Sequence, residues 1–275
     1  MITDKKTIAG EKKSREVRKP FLKGTSLDEN TPKASLLFFG SLILVFFVAF
    51  IACATTASGS LFLRLLINLS VIAVTIMIFY HNGAGKGAEA VTRGEILYQK
   101  KEKGQTFSES EQKICYHPAK GFLTGLIGTL PFIVLAVLLA LNTTMQSTES
   151  GTLPSWMQTY IRRSDIGNAL INYTEPESMG WIGFIRMIVR ICIMPYVNVI
   201  GYGDNAGMLL LERLSPLVFM IPAAAYGSGY LTGKKIRTGI HTAISENEKR
   251  RIRKDQKRIR NRNQKTHQRQ PEQLN

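Results

Sequence analysis

Two arginines one helical turn apart are the residues in this sequence best suited to bind a ligand. Arg186 and Arg190 lie near the middle of 181–200, where most other residues are apolar. Guanidinium groups in apolar surroundings bind carboxylate or phosphate through charge-assisted hydrogen bonds. Ionisable residues in membrane segments often mark a functional site. The pair therefore indicates an anion site, unless both side chains instead extend from a surface helix to lipid headgroups.

A second group of basic residues lies in 245–265, near the C-terminus. Ser245 and Glu248 have capping-box spacing, which predicts a helix beginning there. Ile252 and Ile259 are its only large apolar side chains, so its apolar stripe is too thin to embed deeply. We therefore expect electrostatic contacts with anionic headgroups or with RNA, including ribosomal RNA, unless the tail only fixes the topology. The residues expected to make these contacts are Arg250, Arg251, Arg253, Lys254, Lys257 and Arg258.

No pattern of residues predicts catalysis or metal binding. Cys53, Cys115 and Cys192 lie far apart without a C-x-x-C pair, and no nucleophile has a base at a recognisable spacing. The run 83–87 (GAGKG) resembles part of a phosphate-binding loop, but it lacks the G-x-x-x-x-G-K-[ST] spacing. We interpret this run as a flexible exit from a membrane segment. We expect no enzymatic activity, cofactor or metal.

Charged and apolar residues are segregated along the chain. The formal net charge is +16, yet 44% of the residues are hydrophobic, and these residues come in long blocks. About 20 consecutive apolar residues cross the hydrocarbon core of a bilayer as a helix. The composition therefore predicts an integral membrane protein.

Four blocks are long enough to cross a bilayer. The segments 35–57, 121–141 and 214–232 contain no charged residue, and 61–80 contains only Arg64, near its first end. An arginine at that position can extend its stem and reach the headgroups. These four segments are the predicted transmembrane helices.

Small residues and prolines distinguish the last two spans. Gly121, Gly125 and Gly128 lie on nearly one helical face, which allows another helix backbone to approach closely. Pro216 and Pro222 are expected to bend the last span, and neighbouring groups can satisfy the carbonyls that they free.

The distribution of Lys and Arg decides whether 181–200 also crosses. Nine lie before residue 35, six in 81–118, fourteen from Lys234 onward and four in 143–207. Basic loops stay in the cytoplasm. Four spans place 29 basic residues inside against four outside, whereas five spans divide them fifteen against sixteen. Two central arginines also cost about 2.5 to 3.5 kcal/mol each on insertion. We therefore predict four spans with both termini in the cytoplasm.

The predicted fold is all-α: a polytopic helical membrane protein with four full transmembrane helices and one interfacial or re-entrant helical segment. Within the loops, we expect a short helix over 88–103 and a second helix start where Ser108 and Glu111 have capping-box spacing. The segment 154–172 is expected to be an interfacial helix or a loop with aromatic anchors. The expected divisions are a basic cytoplasmic N-terminal segment (1–34), a transmembrane hairpin (35–80), a cytoplasmic helical loop (81–118), a third transmembrane helix (119–142), an outer-face cap (143–207), the last transmembrane helix (208–233) and a basic cytoplasmic tail (234–275).

Two functional hypotheses follow. The first is a non-catalytic scaffold, regulator or assembly factor in the cell membrane, whose partners are membrane proteins, anionic lipid headgroups or ribosomal RNA. The alternative is a transporter or permease component, in which helices broken at Pro195, Pro216 and Pro222 surround an anion site at Arg186 and Arg190. The small number of spans and the absence of a repeat between the two halves favour the first hypothesis.

Overall fold

The computed structural model describes residues 16–54, 60–143, 180–201 and 204–267, with isolated positions between 157 and 170. The described part of the chain is helical and contains no strand. The expected interfacial helix over 154–172 lies largely outside the described residues. The seven described helices are α1 (Thr31–Ala54), α2 (Leu61–Glu102), α3 (Glu109–Lys113), α4 (Lys120–Asn142), α5 (Trp181–Cys192), α6 (Met194–Ile200) and α7 (Asn205–His267).

Four of these helices are long and apolar enough to span a membrane, as predicted. They are α1, α2, α4 and α7. Many of their apolar side chains are exposed, including Leu36, Phe62 and Leu217, which suits contact with lipid. The end of the bundle at which α1 and α4 begin is called the basic end. The opposite end, at which α1 and α4 end, is called the hairpin end.

Helices α5 and α6 form a re-entrant hairpin. They meet at an angle of 90°, and Pro195 near the start of α6 cannot continue a helical ladder. Arg186 in the first leg contacts Thr143, which follows α4. Asn198 in the second leg contacts Cys53 in the last turn of α1. Both legs therefore lie at the hairpin end, which confirms the expectation that 181–200 does not cross.

The tip of the hairpin is packed inside the bundle. Ile193 is 1% exposed and belongs to an apolar cluster with Ala136 and Phe219. Phe219 lies seven residues after Glu212, about 10 Å further along α7 at 1.5 Å per residue. The tip is therefore packed among the spanning helices and does not lie on the surface of the bundle.

Helices α2 and α7 pack so closely that glycine is required between them. A Cβ atom at Gly83 would overlap the backbone carbonyl of Tyr226, and one at Gly229 would overlap that of Tyr80. The two helices run in the same direction through this contact. The interpretation of 83–87 as a flexible exit is therefore wrong, because the glycines are a helix-packing surface.

Both helices continue far beyond the apolar stretch. The expected separate helix over 88–103 is instead the second half of α2, and the expected helix start at Ser245 is wrong because this residue lies inside α7. The predicted start at Ser108 is confirmed: its side chain caps α3 by accepting a hydrogen bond from the backbone N–H of Ser110.

Helix α7 continues through Pro216 and Pro222. Proline has no N–H, so Pro216 leaves the carbonyl of Glu212 without its usual helical donor. The hydroxyl of Ser215 donates to that carbonyl at 2.7 Å. This bond replaces the missing backbone contact in a membrane where no water can do so.

The N-terminal segment 16–30 lies across the basic end. The backbone N–H of Leu22 donates to the carbonyl of Gly94, and that of Gly24 to the carbonyl of Tyr116, both at 3.1 Å. Asp28 accepts a hydrogen bond from Lys120 at 2.8 Å, and both side chains are largely buried. This ion pair ties the segment to the start of α4.

Asp28→Asn is expected to destabilise the protein near neutral pH by about 2 kcal/mol, the usual range for a hydrogen bond to a charged group. Burial alone would raise the pKa of Asp28, but hydrogen bonds from Lys120 and Thr31 outweigh it, and the pKa lies below its ordinary value. A carboxyl group with a lowered pKa stabilises the folded state at pH values above its ordinary pKa. This stabilisation is lost as the pH falls toward the pKa of the folded state. The test compares the free energy of unfolding of Asp28→Asn with that of the unaltered protein, in mild detergent at pH 7 and near pH 3.

The exposed neighbour Glu29 supplies the control, and Glu29→Gln should change stability by less than about 0.5 kcal/mol. An Asp28→Asn deficit of equal size at both pH values would contradict the role assigned to this ion pair.

Candidate functional site

The two arginines predicted to bind an anion both contact one carboxylate. Arg186 Nε donates to Glu212 Oε2 at 3.1 Å, and Arg190 Nε donates to Glu212 Oε1 at 2.8 Å. Their spacing of four residues places both on the face of α5 that meets α7. Glu212 lies in the second turn of α7, and its side chain is 2% exposed.

Thr143 completes this cluster. Arg186 Nη2 donates to the Thr143 hydroxyl at 2.9 Å, and that hydroxyl donates to Glu212. Arg186 and Glu212 are buried, whereas the side chain of Arg190 retains 31% exposure. The charge cluster, defined as Thr143, Arg186, Arg190 and Glu212, thus joins the end of α4, the hairpin and the start of α7.

The charge cluster carries a net charge of +1, from two guanidinium groups and one carboxylate. Buried ions need a partner, because desolvation of an isolated charge costs several kcal/mol. Glu212 meets that need for Arg186. The partly exposed edge of Arg190 is the place where the cluster can attract an anion from the hairpin end.

A second polar contact holds the other leg of the hairpin. Asn198 Nδ2 donates to the carbonyl of Cys53 at 2.9 Å and to Asn68 Oδ1 at 3.3 Å. Asn68 Nδ2 donates to the carbonyl of Arg64 at 2.6 Å. Both asparagine side chains are fully buried. Hydrogen bonds among α1, α2 and α6 therefore fix the leg that lacks arginines.

The space around the hairpin tip is small. A cavity of about 30 Å³ lies between the tip and the spanning helices, bordered by Phe46, Ile72, Pro195 and Phe219. This volume is about that of one water molecule.

The six predicted contact residues of the tail lie together on α7, far from the charge cluster. Residues 247–262 are all exposed. Arg250 is 38 residues after Glu212, about 57 Å along the helix axis. The structure therefore divides the predicted site residues into two groups: the two arginines of the charge cluster at the hairpin end, and an exposed group beyond the basic end.

Sequence reasoning missed Glu212 and Thr143. The uncharged span 214–232 begins after Glu212, and no pattern in the sequence assigned this carboxylate a role. One signal was available: Glu212 lies four residues before Pro216 and close to the uncharged stretch 214–233. Nothing in the spacing of 181–200 indicates that its arginines reach a residue more than twenty positions away.

A buried carboxylate at the basic end was also missed. Glu95 is 5% exposed and accepts a hydrogen bond from Arg237 at 2.9 Å. His241 lies 2.8 Å from its other oxygen. Glu95 therefore connects the second half of α2 to α7 outside the apolar stretch. Among the described residues, no group of three or more His, Cys, Asp or Glu side chains is arranged to hold a metal ion.

No known family model, curated protein or solved structure matches this chain.

Proposed function

We propose that this protein is a non-catalytic membrane scaffold, regulator or assembly factor that tethers an RNA-containing assembly through the exposed part of α7. Its place is the cell membrane, with both termini in the cytoplasm. The supporting observation is that residues 247–262 continue a membrane helix and are all exposed. This stretch, the basic rod, contains nine basic and two acidic residues.

The basic rod begins well away from the membrane surface. Residues 214–233 of α7 are free of charge, so Gly233 lies near the end of the membrane-crossing part. Arg250 follows it by about 25 Å and Arg262 by about 44 Å along the axis. The field of anionic headgroups decays within a Debye length of about 8 Å at physiological salt. A partner in solution therefore suits the rod better than the headgroups do.

The arrangement of charge in the basic rod favours RNA over an acidic protein. Successive helical residues differ by about 100°, so Lys249, Arg250 and Arg251 point in widely different directions. A protein partner needs one matching face, whereas phosphate groups can surround a helix. Six of the nine basic residues are arginine, which binds phosphate through two donors at once.

Binding of single-stranded RNA to the purified protein in mild detergent tests this proposal. Replacing three arginines of the basic rod by glutamine should weaken binding at least tenfold and lower the salt slope by about 2, because each phosphate contact contributes about 0.7 to 0.9. The variant carries Arg250→Gln, Arg253→Gln and Arg258→Gln.

A matched control removes three positive charges near the end of α2, through Lys100→Gln, Lys101→Gln and Lys103→Gln. It should retain RNA affinity within about twofold. Equal losses in the two variants would contradict a site on the basic rod. Displacement of RNA by polyglutamate at equal charge would point instead to an acidic protein partner.

Reporter fusions test the orientation. A fusion after residue 275 should be active only with a cytoplasmic reporter, and one near residue 205 only with an exported reporter. The basis is the excess of basic residues at the basic end of the bundle. An exported C-terminus would overturn the placement of the basic rod.

The charge cluster favours a second candidate, a permease component for small anions. Arg190 is partly exposed at a hairpin that enters the membrane, which resembles the broken helices of transporter sites. Arg190→Ala should then abolish uptake of a labelled anion such as sulfate, while Arg186 and Glu212 remain paired. Unchanged sulfate and phosphate uptake would exclude this candidate.

A further inference from the structure

We propose that a basic groove at the membrane boundary binds the phosphate of an anionic lipid headgroup. The groove lies between the N-terminal segment 16–24 and helices α2 and α7, and has a volume of about 320 Å³. This lipid site does not depend on the RNA-binding proposal, because the groove and the basic rod consist of different residues. The side chains that carry the inference are Lys19, Phe21, Lys23, Glu95, Lys234 and Arg237.

The groove has an excess of positive charge. Among the described residues, Lys19, Lys23 and Lys234 form no ion pair with a carboxylate. The one carboxylate that lines the groove, Glu95, is already bound by Arg237 at 2.9 Å and contacts His241 at 2.8 Å. Three lysines without an acidic partner therefore line the groove. A phosphate group supplies the missing negative charge and several acceptor oxygens.

One wall of the groove is apolar. The Lys234 ammonium lies 5.6 Å from the centre of the Phe21 ring, and Phe21 packs edge-on against Tyr116. Val91 closes the wall beside it and is 2% exposed. Basic groups beside an apolar wall match a ligand with both a phosphate and a hydrocarbon part.

The position of the groove identifies a lipid as the source of that phosphate. Lys234 is the first charged residue of α7 after the uncharged stretch 214–233. Arg237 lies one turn further on. Side chains at this position meet the headgroup layer, where anionic lipids are concentrated. Free phosphate has the same binding chemistry but no such concentration at the membrane.

The groove is held in shape by the backbone. Leu22 N–H donates to the carbonyl of Gly94 at 3.1 Å, and Val17 N–H donates to the hydroxyl of Thr242 at 3.1 Å. A Cβ atom at Gly94 would overlap the carbonyl of Leu22, so glycine lets the segment lie directly on α2. Lys19 and Lys23 are therefore presented from a segment that is fixed at both sides.

Lipid retention tests the proposal. The full-length protein is exchanged into nanodiscs of phosphatidylcholine with one-fifth phosphatidylglycerol, released in the gas phase and examined for bound lipid by native mass spectrometry. Each basic residue near an anionic surface contributes about fivefold in affinity. Loss of all three lysines should therefore lower phosphatidylglycerol retention about a hundredfold. The test variant carries Lys19→Gln, Lys23→Gln and Lys234→Gln.

The control variant removes three charges from the basic rod, through Lys249→Gln, Lys254→Gln and Lys257→Gln. It should retain phosphatidylglycerol within about twofold of the unaltered protein. All six lysines are exposed, so both variants should unfold at the same temperature as the unaltered protein. Equal retention in the two variants would overturn the proposal.

A second arm separates the two sources of phosphate. Thermal unfolding is measured with 10 mM inorganic phosphate in lipid-free detergent. We expect no stabilisation that depends on the three lysines of the groove. Stabilisation of the unaltered protein alone, without selective lipid retention, would assign the groove to free phosphate and overturn the lipid assignment. Because RNA binding is measured separately, failure of either proposal leaves the other intact.

Discussion

Glu212→Ala is expected to destabilise the folded protein by about 3 to 5 kcal/mol, the usual cost of leaving a buried ion without its partner. Glu212 is the carboxylate to which Arg186 and Arg190 both donate. Arg186 is 7% exposed, so water cannot replace the lost oxygens. Chemical unfolding in mild detergent measures the loss of stability. We expect the hairpin to detach first, because the charge cluster joins one of its legs to α4 and α7.

Two further variants separate loss of charge balance from loss of packing. Arg186→Met combined with Glu212→Leu removes both buried ions and should recover most of the stability, since apolar replacement of a buried ion pair is often neutral. The exposed residue Glu248 lies on the same helix, and Glu248→Ala should change stability by less than about 0.5 kcal/mol. A double variant as unstable as Glu212→Ala would show that packing, and not charge, determines the effect.

Gly83→Leu is expected to destabilise the protein by about 3 kcal/mol, at the upper end of the usual range for overpacking. A Cβ atom at this position would overlap the backbone carbonyl of Tyr226. A backbone atom cannot rotate away as a side chain can, so α2 and α7 would have to separate. That separation would also weaken the neighbouring contact between Gly229 and Tyr80.

Gly85→Leu is the matched control for this prediction. Gly85 lies on the same helix two residues later, is exposed, and has no atom near the position of a Cβ. Leucine is a better helix former than glycine by about 0.8 kcal/mol, so this variant should be as stable as the unaltered protein or more so. Thermal unfolding of both variants in the same detergent compares them. Equal destabilisation would indicate that helix formation, and not the contact with α7, is the sensitive step.

For the re-entrant hairpin, the sequence predicted the course of the backbone but not the contacts of its arginines. Two arginines near the centre of 181–200 made a full crossing unfavourable, and the distribution of basic residues gave the same result. The structure confirms that the segment turns back, with its bend of 90° near Pro195. The partner of the arginines was not predictable, because Glu212 contacts them only when α7 packs against α5.

For the part of α2 beyond the apolar stretch, the prediction from the sequence was wrong. The run 83–87 contains three glycines, and glycine usually weakens a helix. Local preference therefore predicted a flexible exit. In the structure, close packing of Gly83 and Gly87 against α7 stabilises the helix, and α2 continues to Glu102. Tertiary contacts outweighed local propensity, as they commonly do for glycine on a helix-packing face.

The sequence by itself determined which segments lie in the membrane, because bilayer thickness sets the length of an uncharged run and this length can be counted along the chain. It also determined where positive charge accumulates. Only the tertiary structure decided that Glu212 receives both arginines, that glycines join α2 to α7, and that 16–30 encloses a basic groove. These features depend on contacts between residues distant in sequence. Such contacts stabilise the protein only once the helices have packed.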